Sequence, residues 1–152
     1  MGIAYRSDDG LGLTVVVGDG VVTAEDWHAH VSRMTGDPEW PVGRLGLTDL
    51  SCADTSALRG DDVREMAGAF VRAGSNMAHW KGAIVAGDMA HRSAVTFQQA
   101  LGPTGLVIMI FSDMDSACEW LEVGIEDVAP TIEELRHEIR VADLRNSSGS
   151  DS

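Results

Sequence analysis

Lys81-Gly-Ala-Ile-Val-Ala-Gly-Asp88, a helix-like run to Leu101, Gly105-Leu-Val-Ile-Met-Ile-Phe111, and a second helix-like run ending at Trp120-Leu121 together decide the fold. The stretch reads strand, helix, strand, helix. Both strand segments are apolar almost throughout, the pattern of parallel strands covered on both faces. Ala83, Ile84, Val85, Val107, Ile108 and Ile110 are therefore expected in adjacent parallel strands of one sheet. Between the strands, Ala90, Ala94, Phe97 and Leu101 recur at helical spacing behind Asp88, the expected N-cap. After Phe111, Ser112 with Asp115 predicts the next cap, and Met114, Ala117, Cys118 and Leu121 an inward face.

Upstream, Ile3–Ser7 and Leu13–Val17 read as a hairpin about Asp8-Asp9-Gly10, and Val21-Val22 extends the second strand beyond Gly18-Asp19-Gly20. Thr23 and Asp26 open a helix with Trp27, Val31 and Met34 on its apolar face, closed by Gly36-Asp37-Pro38. Trp40 is expected against the body, in a loop running through Pro41-Val42-Gly43. Leu45–Leu50 is the third strand, and Ser51–Ser56 a hydroxyl-rich loop. Asp61 or Asp62 starts a helix striped by Val63, Met66, Phe70 and Met77 and weakened at its end by Gly74-Ser75-Asn76.

Beyond Gly124 the chain changes character. Thr131 and Glu134 read as a capping box after Pro130. Ile132, Leu135, Ile139 and Ala142 form a narrow apolar seam, with Glu133, Glu134, Arg136, Glu138 and Arg140 in water. The predicted organisation is thus a domain over 1–124, a C-terminal amphipathic helix over 125–144 and a disordered polar tail over 145–152. A helix this short needs a docking surface. A domain complete by Leu121 leaves little core to cover, so the seam is expected to join two copies as a homodimer.

At 152 residues with a net charge of −13, the chain suits one acidic domain. Its 24 acidic and 11 basic side chains argue against a nucleic-acid surface, which needs clustered cations to replace counterions. No apolar run is long enough to span a membrane, and no signal peptide is read. Cys52 and Cys118 lie in no metal or redox spacing, so two buried, reduced thiols and a cytoplasmic location are expected. His28 and His30 diverge on a helix, and His79, His91 and His137 have no partner four residues on, so no metal is expected. Phosphate-binding, dinucleotide and serine-hydrolase fingerprints are absent, so no cofactor is expected either.

In sheets with parallel strands, ligands gather beyond the C-terminal strand ends. Those ends carry Asp49, Ser51, Asp54, Ser56, Asp88, His91, Arg92, Ser112 and Asp113. Asp88 and His91 read either as an acid–base pair or as a helix cap beside a solvated histidine. Asp54, Thr55 and Ser56 read as turn caps. Trp27, Met34, Met66, Phe70 and Met77 either line an apolar cavity or fill a core.

The pattern Asp37-Pro38, Asp49-Leu50, Lys81–Asp88, Phe97-Gln98, Phe111 and Glu119-Trp120-Leu121 resembles the small bacterial STAS/SpoIIAA-like proteins, over about Ile3–Leu121. The resemblance implies an α/β SpoIIAA-like fold: a mixed five-stranded sheet, mostly parallel after an N-terminal hairpin, packed by about four helices, with a C-terminal helix added. It implies a non-catalytic regulatory module with a protein partner. Anti-sigma-factor antagonists carry Asp-Leu-Ser and then Asp-Ser-Ser-Gly-Leu, whose serine is phosphorylated. Here Asp49-Leu50-Ser51 and Asp54-Thr55-Ser56-Ala57-Leu58 stand in those places, with Ala57 for the glycine and Ser56 at the phosphorylated position. Together with the strand-end positions, the partner or ligand candidates are Asp49, Ser51, Asp54, Thr55, Ser56, Asp88, His91 and Arg92. A more distant resemblance to lipid-carrying CRAL-TRIO domains implies a small apolar ligand or lipid. An enzyme using Asp88 and His91 is the third expectation.

Overall fold

The computed structural model describes residues 2–40, 43–73, 80–104 and 106–149. Five strands, β1 (Ile3–Asp8), β2 (Leu13–Val21), β3 (Leu45–Asp54), β4 (Lys81–Ala86) and β5 (Val107–Phe111), form one sheet in the order 1-2-3-4-5. β1 pairs antiparallel with β2, and every later pairing is parallel. The expected strands thus appear in the expected arrangement, with Ala83 opposite Met109 and Ile84 opposite Ile110.

The helices α1 (Ala24–Thr35), α2 (Gly60–Ala73) and α3 (His91–Leu101) each connect neighbouring parallel strands. Crossovers of one hand between successive neighbours must fall on one face of a sheet. There α1, α2 and α3 enclose a core with Val31, Met34, Phe70, Ala94 and Leu101 buried against Val16, Leu50 and Ile84. α4 (Met114–Leu121) and α5 (Ile125–Gly149) cover the opposite face. Alternation along β2 serves both layers: Val16 points to the first, Val15 and Val17 to the second.

Trp80 explains two glycines. A Cβ on Gly46 or Gly82 would lie 2.3 Å or 2.5 Å from its indole. Only bare backbone lets the ring lie flat across the start of β3 and β4, where it packs edge-to-face on Phe70, itself tilted against Trp40.

Several expectations need correction. β3 does not end at Leu50: it runs on to Asp54, because β2 also continues and pairs Asp19, Gly20 and Val21 with Cys52, Ala53 and Asp54 beyond a bulge. Cys52 is consequently exposed, and only Cys118 is a buried thiol. Asp88 is not a helix cap. A tight turn, with Ala90 and His91 N–H groups donating to the Gly87 carbonyl, starts α3 at His91 behind Ala90. The cap of α4 is Asp113, not Ser112: its extended backbone lets Oδ1 accept from the Ser116 N–H at 2.8 Å. The Thr23–Asp26 box is present as expected.

The largest correction concerns the C-terminal helix. α5 starts at Ile125, so Thr131 and Glu134 lie inside it, and Pro130 is absorbed in its second turn. The reason is the seam, which Val128 extends by one turn. Val128, Ile132, Leu135 and Ile139 are buried against Leu13, Val15, Val17 and Val85. The seam expected to bind a second copy is therefore filled by the chain's own sheet. The domain is not complete at Gly124, since α5 forms half of one of its two cores. The helix also passes residue 144 and continues to Gly149, each added residue closing one more backbone hydrogen bond. The expectations for Pro41-Val42, Gly74-Ser75-Asn76, Met77, His79, Gly105 and 150–152 lie outside the described residues.

Candidate ligand cavity and the strand ends

On the face covered by α1, α2 and α3, the side chains do not close completely. A cavity of about 70 Å³ remains, bounded by Trp27, His30, Val31 and Met34 of α1, Val63, Met66 and Phe70 of α2, and Ala94 and Phe97 of α3. Its floor is Val16, Thr48, Leu50 and Ile84 of the sheet. Thr55 and Leu58, in the loop between β3 and α2, also line it. Four members of the expected apolar stripe, Trp27, Met34, Met66 and Phe70, thus meet around one space. The volume exceeds what one water needs and is smaller than a drug-sized site.

The polar groups on this wall are few. Thr55 is buried, and its Oγ1 lies 2.8 Å from Ser93 Oγ and donates towards the Met89 carbonyl at 3.3 Å. That pins the loop to α3. His30, a histidine with no metal-ligand spacing in the sequence, belongs to this wall. Positions 27, 30, 31 and 34 form one helical stripe, and His30 is 2% exposed. It sits edge-on between Tyr5 and Trp27, with ring centroids 5.7 Å and 5.9 Å away. Burial, and then the charge of Arg33, lower its pKa to about 4, so the ring is neutral at physiological pH.

The candidate residues at the strand ends converge only in part: Asp49, Ser51, Ser112 and Asp113 line one groove with Arg136, and the others lie apart from it. Asp49 and Ser51 face α5. Asp49 is 3% exposed, and its Oδ1 accepts from the Ser51 N–H at 2.9 Å and hydroxyl at 2.6 Å. Its Oδ2 receives Arg136 Nη2 at 2.8 Å. Arg136 also bonds Glu133 at 2.9 Å, and its Nε stands 3.8 Å from Asp19, close enough for charge attraction but too far for a hydrogen bond. Arg140 Nε completes the group at 3.1 Å from Asp19. Arg136 was expected in water; it is instead the cation that makes burial of Asp49 and Asp19 tolerable. Beside it, Ser112, Asp113, Ile125 and Ala129 border a more open groove of about 270 Å³.

Asp54, Ser56, Asp88, His91 and Arg92 lie apart from both spaces, at the surface or close to it. The Ser56 hydroxyl and N–H both donate to Asp54 Oδ1, at 2.6 Å and 2.9 Å. These bonds, the hydroxyl's first, hold the Asp54 carboxyl below its usual range. Among the described residues no hydrogen bond or ion pair joins Asp88 to His91, and no cluster of His, Cys, Asp and Glu is placed to hold a metal ion. No helix among them is long and apolar enough to cross a membrane.

No family model matches the chain, and no curated protein matches it. Among solved structures it is similar to an uncharacterized protein of the DUF3478 family with a SpoIIAA-like fold from Shewanella loihica PV-4. The two share 20% sequence identity over 79% of this chain and 94% of that one, with a TM-score of 0.47.

Proposed function

We propose that this protein is a non-catalytic binding module that takes a small, mainly apolar ligand between its sheet and α1, α2 and α3. One observation carries this reading: the described members of the aromatic and methionine stripe, together with Thr55 and Leu58 of the β3–α2 loop, surround an unfilled apolar space. Close packing is the rule in protein interiors, so an unfilled space beside two adaptable methionines suits an occupant. Native mass spectrometry of the freshly purified chain is expected to show a retained small molecule. Ala94→Leu, which places bulk in the cavity, is expected to lose it while the melting temperature moves by only a few degrees. Retention of the same ligand by a folded Ala94→Leu protein would place the ligand elsewhere.

A second reading is a regulatory module whose protein partner meets the β3–α2 loop. It is supported by the exposure of Ser56 in a loop that Thr55 fastens to α3. A phosphate on Ser56 would lose the hydroxyl bond to Asp54 and set negative charge beside Asp54, Asp61 and Asp62. Ser56→Asp is then expected to weaken binding of an acidic protein partner about five- to thirtyfold, the size of a charge repulsion of about 1–2 kcal/mol, with Ser56→Ala binding normally. Equal binding by both variants would reduce Ser56 to a turn residue.

A further inference from the structure

Two residues that line the cavity, Trp27 and His30, each have a buried nitrogen without a hydrogen-bond partner, Nε1 and Nδ1 respectively. They belong to rings one helical turn apart on α1, packed edge-to-face. Buried polar atoms are nearly always paired, so two orphans in neighbouring residues that line one space point to a polar partner there. Their chemistry narrows that partner. Indole N–H only donates, whereas a neutral imidazole nitrogen donates or accepts according to its tautomer. One oxygen has the chemistry to satisfy both. A hydroxyl accepts from Trp27 and donates to His30, and a carbonyl accepts from each. A carboxylate is disfavoured: no side-chain cation is among the residues lining the space, and the wall offers little to replace its water.

We infer that the cavity selects an uncharged, compact apolar molecule bearing one hydroxyl or carbonyl oxygen, held between Trp27 Nε1 and His30 Nδ1. This inference rests on the ligand-binding reading above. It adds the class of ligand and the two residues that orient it. The surrounding Trp40, Phe70 and Phe97 suit a small ring or short chain better than a long acyl tail, given the size of the space.

Calorimetric titration of the full chain at neutral pH with toluene, phenol, benzaldehyde and benzoate tests it. Phenol or benzaldehyde is expected to bind at least about tenfold more tightly than toluene, the size of one good hydrogen bond to a buried group, and benzoate not measurably. Trp27→Phe keeps an aromatic ring and deletes the donor, and His30→Phe deletes the second nitrogen. Each is expected to shrink the preference over toluene while toluene binding persists. If all three neutral probes bind wild type equally, or if Trp27→Phe leaves the preference intact, the polar pair has no such role and the cavity reading survives. If none of the four probes binds, the ligand-binding reading falls as well.

Discussion

At the scale of single residues, the histidine buried beside the cavity has a measurable consequence. In the folded chain His30 stays neutral until the pH approaches about 4, whereas in the unfolded chain it takes a proton near its ordinary value of 6.5. Between those values the unfolded state binds the extra proton, so stability falls as pH falls from 6.5 towards 4 and rises again on return. The full excursion is of order 3 kcal/mol for a shift of this size. Carboxylates also lose stabilising contacts at low pH, so the comparison must be with His30→Phe. Urea unfolding at pH 7.0, 6.0 and 5.0 is expected to show a steeper decline for wild type than for the variant. Parallel declines would mean that His30 is hydrated or protonated in the folded chain. Asp49 makes a contrasting case at the same scale. Its burial is compensated by Ser51 and Arg136, and those bonds account for it without any ligand.

At the scale of elements, the legible and illegible parts of the fold divide by cause. β4 and β5 were readable because uninterrupted apolar runs have one economical home, between two layers of helices. The faces of α1, α2, α3 and α4 were readable because burial repeats every three or four residues: Val31 and Met34, Val63 and Met66, Ala90 and Ala94, Ala117 and Leu121 are all inside. What failed is decided by tertiary partners. Whether Ser51–Asp54 is loop or strand depends on whether β2 runs far enough to pair with it, and local composition does not encode that. Whether Ser112 or Asp113 caps α4 turns on one residue of backbone geometry. The start of α5 was hidden by Pro130, a residue that ordinarily marks a helix boundary; burial of Val128 outweighs its lost hydrogen bond. At the candidate site, spacing made the apolar stripe legible but left open whether it lines a cavity or fills a core, because periodicity reports burial and not the fit of facing side chains. The Asp19–Asp49–Arg136 group was not legible, because its members come from distant segments and charged residues on a helix ordinarily face water.

At the scale of the whole molecule, the sheet is a divider between two layers with different tasks. The layer of α1, α2 and α3 contains the unfilled space and its orphaned nitrogens. The layer of α4 and α5 has an apolar seam at its centre, Arg136 and Arg140 bonded to Asp49 and Asp19 at one side beside an open groove, and Arg6 of β1 bonded to Glu134 and Glu138 at the other. This arrangement decides between an added helix and an integral one. Val128, Ile132, Leu135 and Ile139 are buried within a single chain, and exposing four such side chains costs of order 8 kcal/mol. That is comparable to the entire stability of a domain this size. A chain ending at Gly124 would uncover Leu13, Val15, Val17 and Leu47 as one apolar face. It is therefore expected to lack a cooperative thermal transition and to aggregate. The full-length chain is expected to sediment as a monomer at tens of micromolar (a concentration at which a roughly micromolar dimer would be plain), because the seam has no surface left for a second copy. Sedimentation and calorimetry on the two chains together test both expectations. A truncated chain that melts cooperatively as a monomer, beside a full-length dimer, would mean that α5 is a dimerisation arm after all.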